Sequence, residues 1–140
     1  MKQRISALIV DDSETNRYLL SRQLKVAGVT HVFEQNDGST AIDFLEDEVK
    51  NEKLFGDNFP PSVIFLDLNM PIMDGFAFLD SYSQRMNTLS KMTSVVFIYS
   101  SSDRTDDVER AMSHKCVAGF LVKGETNLEQ IKSSIQSVIS

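Results

Sequence analysis

The chain is poor in several things that would set it apart from ordinary globular proteins. Its 140 residues include one cysteine, three prolines and no tryptophan. A lone Cys116 excludes an internal disulfide framework and fits a reducing compartment. It has no Cys or His at metal-ligand spacing and reads as a structural thiol. The two histidines, His31 and His114, read as surface residues without chemistry. No apolar run is long: the one nearest the basic N-terminus ends after residues 7–10, short of a signal-peptide core or a membrane span. That points to a cytoplasmic chain off the membrane. Cations are outnumbered, 14 Lys and Arg against 20 Asp and Glu, for a net charge of -6. A nucleic-acid surface, normally basic, is therefore not expected. No linker, low-complexity tract or repeat interrupts residues 1–140, a length that suits one domain around a full core.

What is present is an alternation of short apolar runs with helical patterns. ISALIV (residues 5–10) reads as a first strand, followed by Ser13 as N-cap and a helix carrying Leu20, Leu24 and Ala27, with Gly28 as its stop. THVFE (residues 30–34) is a second strand. After Asp37 and Gly38, a second helix presents Ala41, Ile42, Leu45 and Val49. Residues 51–61 read as a polar, irregular stretch ending in Pro60 and Pro61. VIFL (residues 63–66) is the third strand, and a third helix begins near Gly75 with Phe78, Leu79 and Tyr82. SVVFIY (residues 94–99) and AGFLV (residues 118–122) are strands four and five. Between them a helix carries Val108, Ala111 and Met112, and a last helix shows Leu128, Ile131, Ile135 and Val138.

Five strands, each followed by a helix, imply an α/β fold: a five-stranded parallel sheet with helices on both faces. Continuous apolar strands agree, because parallel strands are buried on both sides. Right-handed crossovers and this length favour the flavodoxin-like, doubly wound order 2-1-3-4-5. Ligands in such folds sit beyond the carboxyl ends of the strands where the winding reverses, here between strands one and three.

The residues at that edge are consistent with one another. Strand one runs into Asp11 and Asp12, strand three into Asp67, strand four into Ser100 and Ser101, and strand five into Lys123. Three carboxylates in one small volume repel unless a cation joins them. Magnesium suits such a site, since it takes a few oxygen ligands and leaves room for phosphate; the Asn69 carbonyl, two residues past Asp67, is a further ligand. An aspartate can serve as a phosphoryl nucleophile. Lys123 and the ion would then neutralise the transferring group, and the Ser100 hydroxyl would bind one of its oxygens. Pro71 fixes a turn, and Gly75 permits tight backbone where that loop becomes helix.

With these residues in hand, IVDDS, LDLNMPIMDG and FLVK, in this order and spacing over essentially the whole chain, resemble the receiver domains of bacterial response regulators. The resemblance implies that Asp67 is the phosphoacceptor and that Asp11, Asp12, Asp67 and the Asn69 carbonyl hold Mg2+. It makes Lys123 the strand-five lysine, Ser100 the switch hydroxyl and Phe120 the switch aromatic. It implies a histidine kinase or histidine phosphotransfer protein as donor. It also implies a rearranging face made by the fourth helix, fifth strand and fifth helix, through which an output protein or a phosphorylation-dependent homodimer would be engaged. Independent turnover of a substrate is not expected. Two departures stand out. Gly124 occupies the place of the family's usual proline, and the segment from the fourth helix to the fifth strand is one residue longer. Placing that residue in the loop SHKCV selects Ser100 over Ser101 as the switch.

Three rivals are weighed. A pseudo-receiver would bind partners without being phosphorylated, but the acidic site is complete. A haloacid-dehalogenase-type phosphohydrolase needs an acid two residues after its nucleophile, where this chain has Asn69. A flavodoxin-like electron carrier would place a flavin phosphate against DDSETN, whose paired acids repel it.

Overall fold

The computed structural model describes residues 5–86 and 93–139; the basic residues 1–4 noted above lie outside them. The elements run β1 (Ser6–Val10), α1 (Glu14–Val26), β2 (His31–Gln35), α2 (Gly38–Glu46), α3 (Glu48–Phe55), a 3-10 turn (Gly56–Asn58), β3 (Val63–Leu66), α4 (Gly75–Arg85), β4 (Val95–Ser100), α5 (Thr105–Met112), β5 (Val117–Val122) and α6 (Leu128–Ile139). All strand pairings are parallel, in the order β2-β1-β3-β4-β5. The fold is the doubly wound α/β sheet expected.

The alternation of side chains along each strand builds two cores. Leu8, Val10, Ile64, Leu66 and Ile98 face α2 and α4, packing on Ala41, Leu45, Phe78 and Tyr82. Ala7, Ile9, Val63, Phe65 and Phe97 face the other way, onto Leu20 and Leu24 of α1 and Ile131 and Ile135 of α6. Helix starts follow the expected chemistry. Ser13 accepts from the Asn16 N–H at 3.2 Å, Asp37 from Thr40 at 3.0 Å and Asp74 from Ala77 at 2.9 Å, each satisfying a first-turn donor.

The sequence reading is corrected at two places. Residues 51–55 are not irregular: the second helix ends at Glu46, the backbone turns at Asp47 (ψ 61°), and a separate helix α3 follows. Buried Asn51 holds that break by donating its amide to the Phe44 carbonyl at 2.6 Å, and Phe55 joins an aromatic cluster with Phe33 and Phe44. Val49, expected on the apolar face, is exposed. Second, strand five opens on an irregularity rather than as a regular strand. The β4–β5 register slips inside the sheet, Val96 pairing with Val117 and Phe97 with Gly119, which leaves Ala118 as a bulge.

Candidate functional site

β1 and β3 are neighbours in register, Val10 opposite Leu66, so the residues that follow them meet at the carboxyl edge. Sheet-like bonds continue one step further: the Asp67 N–H donates to Val10 O at 2.9 Å, and Asp11 N–H to Gln35 O at 3.1 Å. Asp11 and Asp67 are thus fixed by the sheet itself and are buried, while Asp12 begins the loop into α1 and is exposed. Carboxylate oxygens from Asp11, Asp12 and Asp67 lie within 4.8 Å of one another. The cluster suits a hard divalent cation, because three clustered carboxylates that keep one exposed member give oxygen ligands and a way in.

Lys123, directly after β5, reaches across β4 into this cluster. Its Nζ lies 2.7 Å from Asp11 Oδ2 and 3.5 Å from Asp67 Oδ2. Asp67 Oδ1 accepts from the Asn69 N–H at 3.3 Å. Burial pushes the Asp67 carboxyl above its ordinary range; the Lys123 ammonium pulls it back down, and the Asp11 charge pushes it up again. The net direction is upward, desolvation outweighing the lysine. Gly75 explains how the loop after Asp67 closes so tightly. A Cβ there would lie 2.5 Å from the Asp67 carbonyl oxygen and 2.7 Å from the Leu68 Cα, both backbone atoms unable to move aside.

Ser100 is fully buried as the last residue of β4, whereas Ser101 is exposed. The Ser100 carbonyl accepts from the Lys123 N–H at 2.8 Å, tying the two ends of the site together. Its hydroxyl oxygen accepts from Ser102 N–H at 3.3 Å and does not cap a helix: the N-cap of α5 is Arg104, and it makes no side-chain cap bond. Phe120, opposite Ile98, packs half-buried on the core side of the sheet. At Gly124 the backbone has φ +83°, and Val122 O accepts from both the Glu125 N–H and the Thr126 hydroxyl. A proline, fixed near φ -65°, cannot take that conformation, so the departure from the family pattern is built into the turn.

One site residue escaped the sequence reading. Arg17, on the first turns of α1, donates from Nη1 to the Asp11 carbonyl at 2.7 Å and from Nε to Glu34 at 3.1 Å, bracing the strand end that carries both acids. The available signal was a cation one and a half turns past an Asp-Asp pair, on the helix that starts beside it. The histidines are also corrected. His31 packs its ring 4.4 Å from Phe33, and His114 is half-buried, with Nδ1 3.1 Å from Ser83 Oγ and Nε2 3.4 Å from Asp80. Cys116 is buried, which pushes its thiol up and away from reactivity.

An acidic cluster braced by a lysine at the switch point of a 2-1-3-4-5 sheet defines a class: doubly wound α/β proteins that handle phosphoryl groups on an aspartate. Known proteins narrow it. Residues 7–136 match the response regulator receiver domain. A probable chemotaxis protein CheY of Rhizobium etli is 28% identical over 136 residues, covering 97% of this chain and 93% of its own. The solved chemotaxis protein CheY4 of Vibrio cholerae, 26% identical, superposes with a TM-score of 0.70 over 97% of this chain and 99% of its own. The Mn(2+)-bound form of response regulator Rcp1, also 26% identical, gives 0.69 over 96% and 91%. The chain belongs to the response regulator receiver domain family, and its function is that of a phosphoacceptor domain in two-component signalling. The complete acidic cluster does not favour a pseudo-receiver. No helix among the described residues is long and apolar enough to cross a membrane.

Proposed function

We propose that Asp67 is the residue phosphorylated, in a site completed by Mg2+, and that residues 1–140 act as one receiver domain. The observation that carries this is the meeting of Asp11, Asp12 and Asp67 under the Lys123 ammonium. Asp11, Asp12, Asp67 and the Asn69 carbonyl would hold the ion. When bound, it supplies positive charge against the oxygens of the transferring phosphoryl group. An Asp67 oxygen attacks the phosphorus of a phosphohistidine, on a histidine kinase or a phosphotransfer protein. The P–N bond breaks as the P–O bond forms, and the imidazole, protonated beforehand on its other ring nitrogen, leaves neutral, so an acyl phosphate results without net proton uptake. Lys123 then exchanges its carboxylate partner for a phosphoryl oxygen. Ser100, whose oxygen already accepts from Ser102, has its hydroxyl proton to donate. Because Ser100 ends the strand that pairs with Phe120 and Val122, drawing it towards the phosphoryl group pulls on β5 and its flanking helices α5 and α6. That face would engage an output protein or a second copy of the chain. The chain assists its own phosphorylation and turns over no separate substrate.

The test is intact mass after incubation with acetyl phosphate and Mg2+. The wild type gains one phosphoryl group, the gain requires Mg2+, and Asp67→Asn abolishes it. Uptake that survives Asp67→Asn would sink the assignment.

A further inference from the structure

The loop that leaves Asp67 carries a feature that the phosphoryl chemistry does not use. At Ile72 the backbone has φ +66°, the only non-glycine residue with positive φ among the described residues. The turn is closed by a short bond from the Met73 N–H to the Pro71 carbonyl, 2.7 Å, so Ile72 is the centre of a three-residue turn of the rare, strained hand. A β-branched side chain is among the least tolerant there. Ile72 is also 90% exposed, the most exposed of the large apolar residues described. Folding gains nothing from that side chain, and solubility would favour a polar one. Glycine or asparagine would relieve the backbone. A residue that is wrong for the turn and wrong for water points to something outside the chain that covers it.

Its position says what. The Gly75 N–H donates to the Leu68 carbonyl at 3.1 Å, which pins the base of the loop, so residues 69–74 project directly off Asp67. The Gly38 N–H donates to the Met73 carbonyl at 3.2 Å, leaning the loop towards α2 and β2. β2 is the sheet edge opposite β5, so the loop points away from the α5–β5–α6 face. Asp67 itself is buried, so a donor protein must bring its phosphoryl group down onto the rim where this loop stands.

We propose that Ile72 is a specificity-determining contact for the phosphodonor protein, an apolar peg that the donor covers in an apolar recess as it delivers its phosphoryl group to Asp67. The inference rests on the phosphoacceptor reading above. Burying one such side chain is worth about tenfold or more in affinity, and the peg plays no part in transfer from a small molecule.

The experiment compares the wild type, Ile72→Asn and Ile72→Leu. Each is given acetyl phosphate with Mg2+, and each is given the purified histidine kinases of the source organism, autophosphorylated with radiolabelled ATP. All three are expected to take up phosphoryl from acetyl phosphate at one rate. From the kinase that serves the wild type, Ile72→Asn should be slower by about tenfold or more, and Ile72→Leu should stay within about threefold. The melting temperature of Ile72→Asn should equal or exceed that of the wild type. The proposal is overturned if Ile72→Asn accepts from the kinase at the wild-type rate, or if Asn and Leu variants are equally slow. A lowered melting temperature for Ile72→Asn overturns it too, since the side chain would then serve the fold. So does a wild type that takes phosphoryl from acetyl phosphate and from no kinase. Failure of the wild type with acetyl phosphate itself is the separate signature of a wrong phosphoacceptor reading, which removes the proposal's basis.

Discussion

Asp67 shows how a single carboxylate can oppose the fold that holds it. Burial keeps its folded-state pKa above the unfolded value of 3.8, even with Lys123 beside it. A carboxyl raised in this way contributes stability that is fully present below the unfolded pKa and is lost as pH rises through the folded one. At neutral pH, without a divalent ion, the ionised side chain is a net cost. Asp67→Asn in metal-free buffer should therefore melt a few degrees higher than the wild type at pH 7, with the gap closing towards pH 4. Calorimetry across that range checks it; a gap that widens on acidification would contradict the sign. Gly124 gives a second expectation at this scale. Restoring the family's proline by Gly124→Pro forces φ from +83° towards about -65° and should destabilise by more than ~1 kcal/mol, measured by urea unfolding.

Among the elements, α3 is the one whose stability comes from its neighbours. Its sequence, EVKNEKLF, has no clear apolar stripe, and eight residues are too few for an independent helix. What fixes it is Asn51 on the Phe44 carbonyl and Phe55 in the aromatic cluster. Phe55→Ala should cost about 2 kcal/mol, while Val49→Glu on the exposed side should change stability by less than about 0.5 kcal/mol. Urea unfolding of both variants separates these; equal losses would mean the helix packs by its other face. The same contrast explains what the sequence disclosed. VIFL and SALIV are buried on both faces, and nothing but a central parallel strand accommodates such runs, so the sheet and its order could be read directly. Asp11, Asp12, Asp67 and Lys123 followed, because each stands next to a strand end. The break at Asp47 and the bulge at Ala118 depend on packing against neighbouring elements, which the pattern of apolar residues does not carry, and Arg17 left only the faint signal of a cation past the Asp-Asp pair.

For the whole molecule, the proposed cation site would make stability depend on ions. A ligand that binds only the folded state adds RT ln(1 + [L]/Kd), about 2.7 kcal/mol at one hundred times Kd. Mg2+ should raise the melting temperature progressively with concentration, by several degrees at saturation. Asp12→Asn removes one exposed ligand without touching either core, so it should leave the metal-free melting temperature nearly unchanged and blunt the Mg2+ response. Differential scanning fluorimetry with a dye suits the measurement, since the chain has no tryptophan. A melting temperature indifferent to Mg2+ would remove the cluster's assigned role.

The order of the sheet also bears on how the chain is made. β1 lies inside the sheet, and all five of its residues are buried. One flank, β2, follows soon. The other is β3, whose Val63 pairs with Ala7 from some 56 residues further on. At roughly 5–20 residues per second of synthesis, that is a wait of several seconds. Throughout that time a nascent chain carries SALIV with one edge unpaired. The strand that leads into Asp11 and Asp12 is thus also one that waits on the ribosome for its second neighbour.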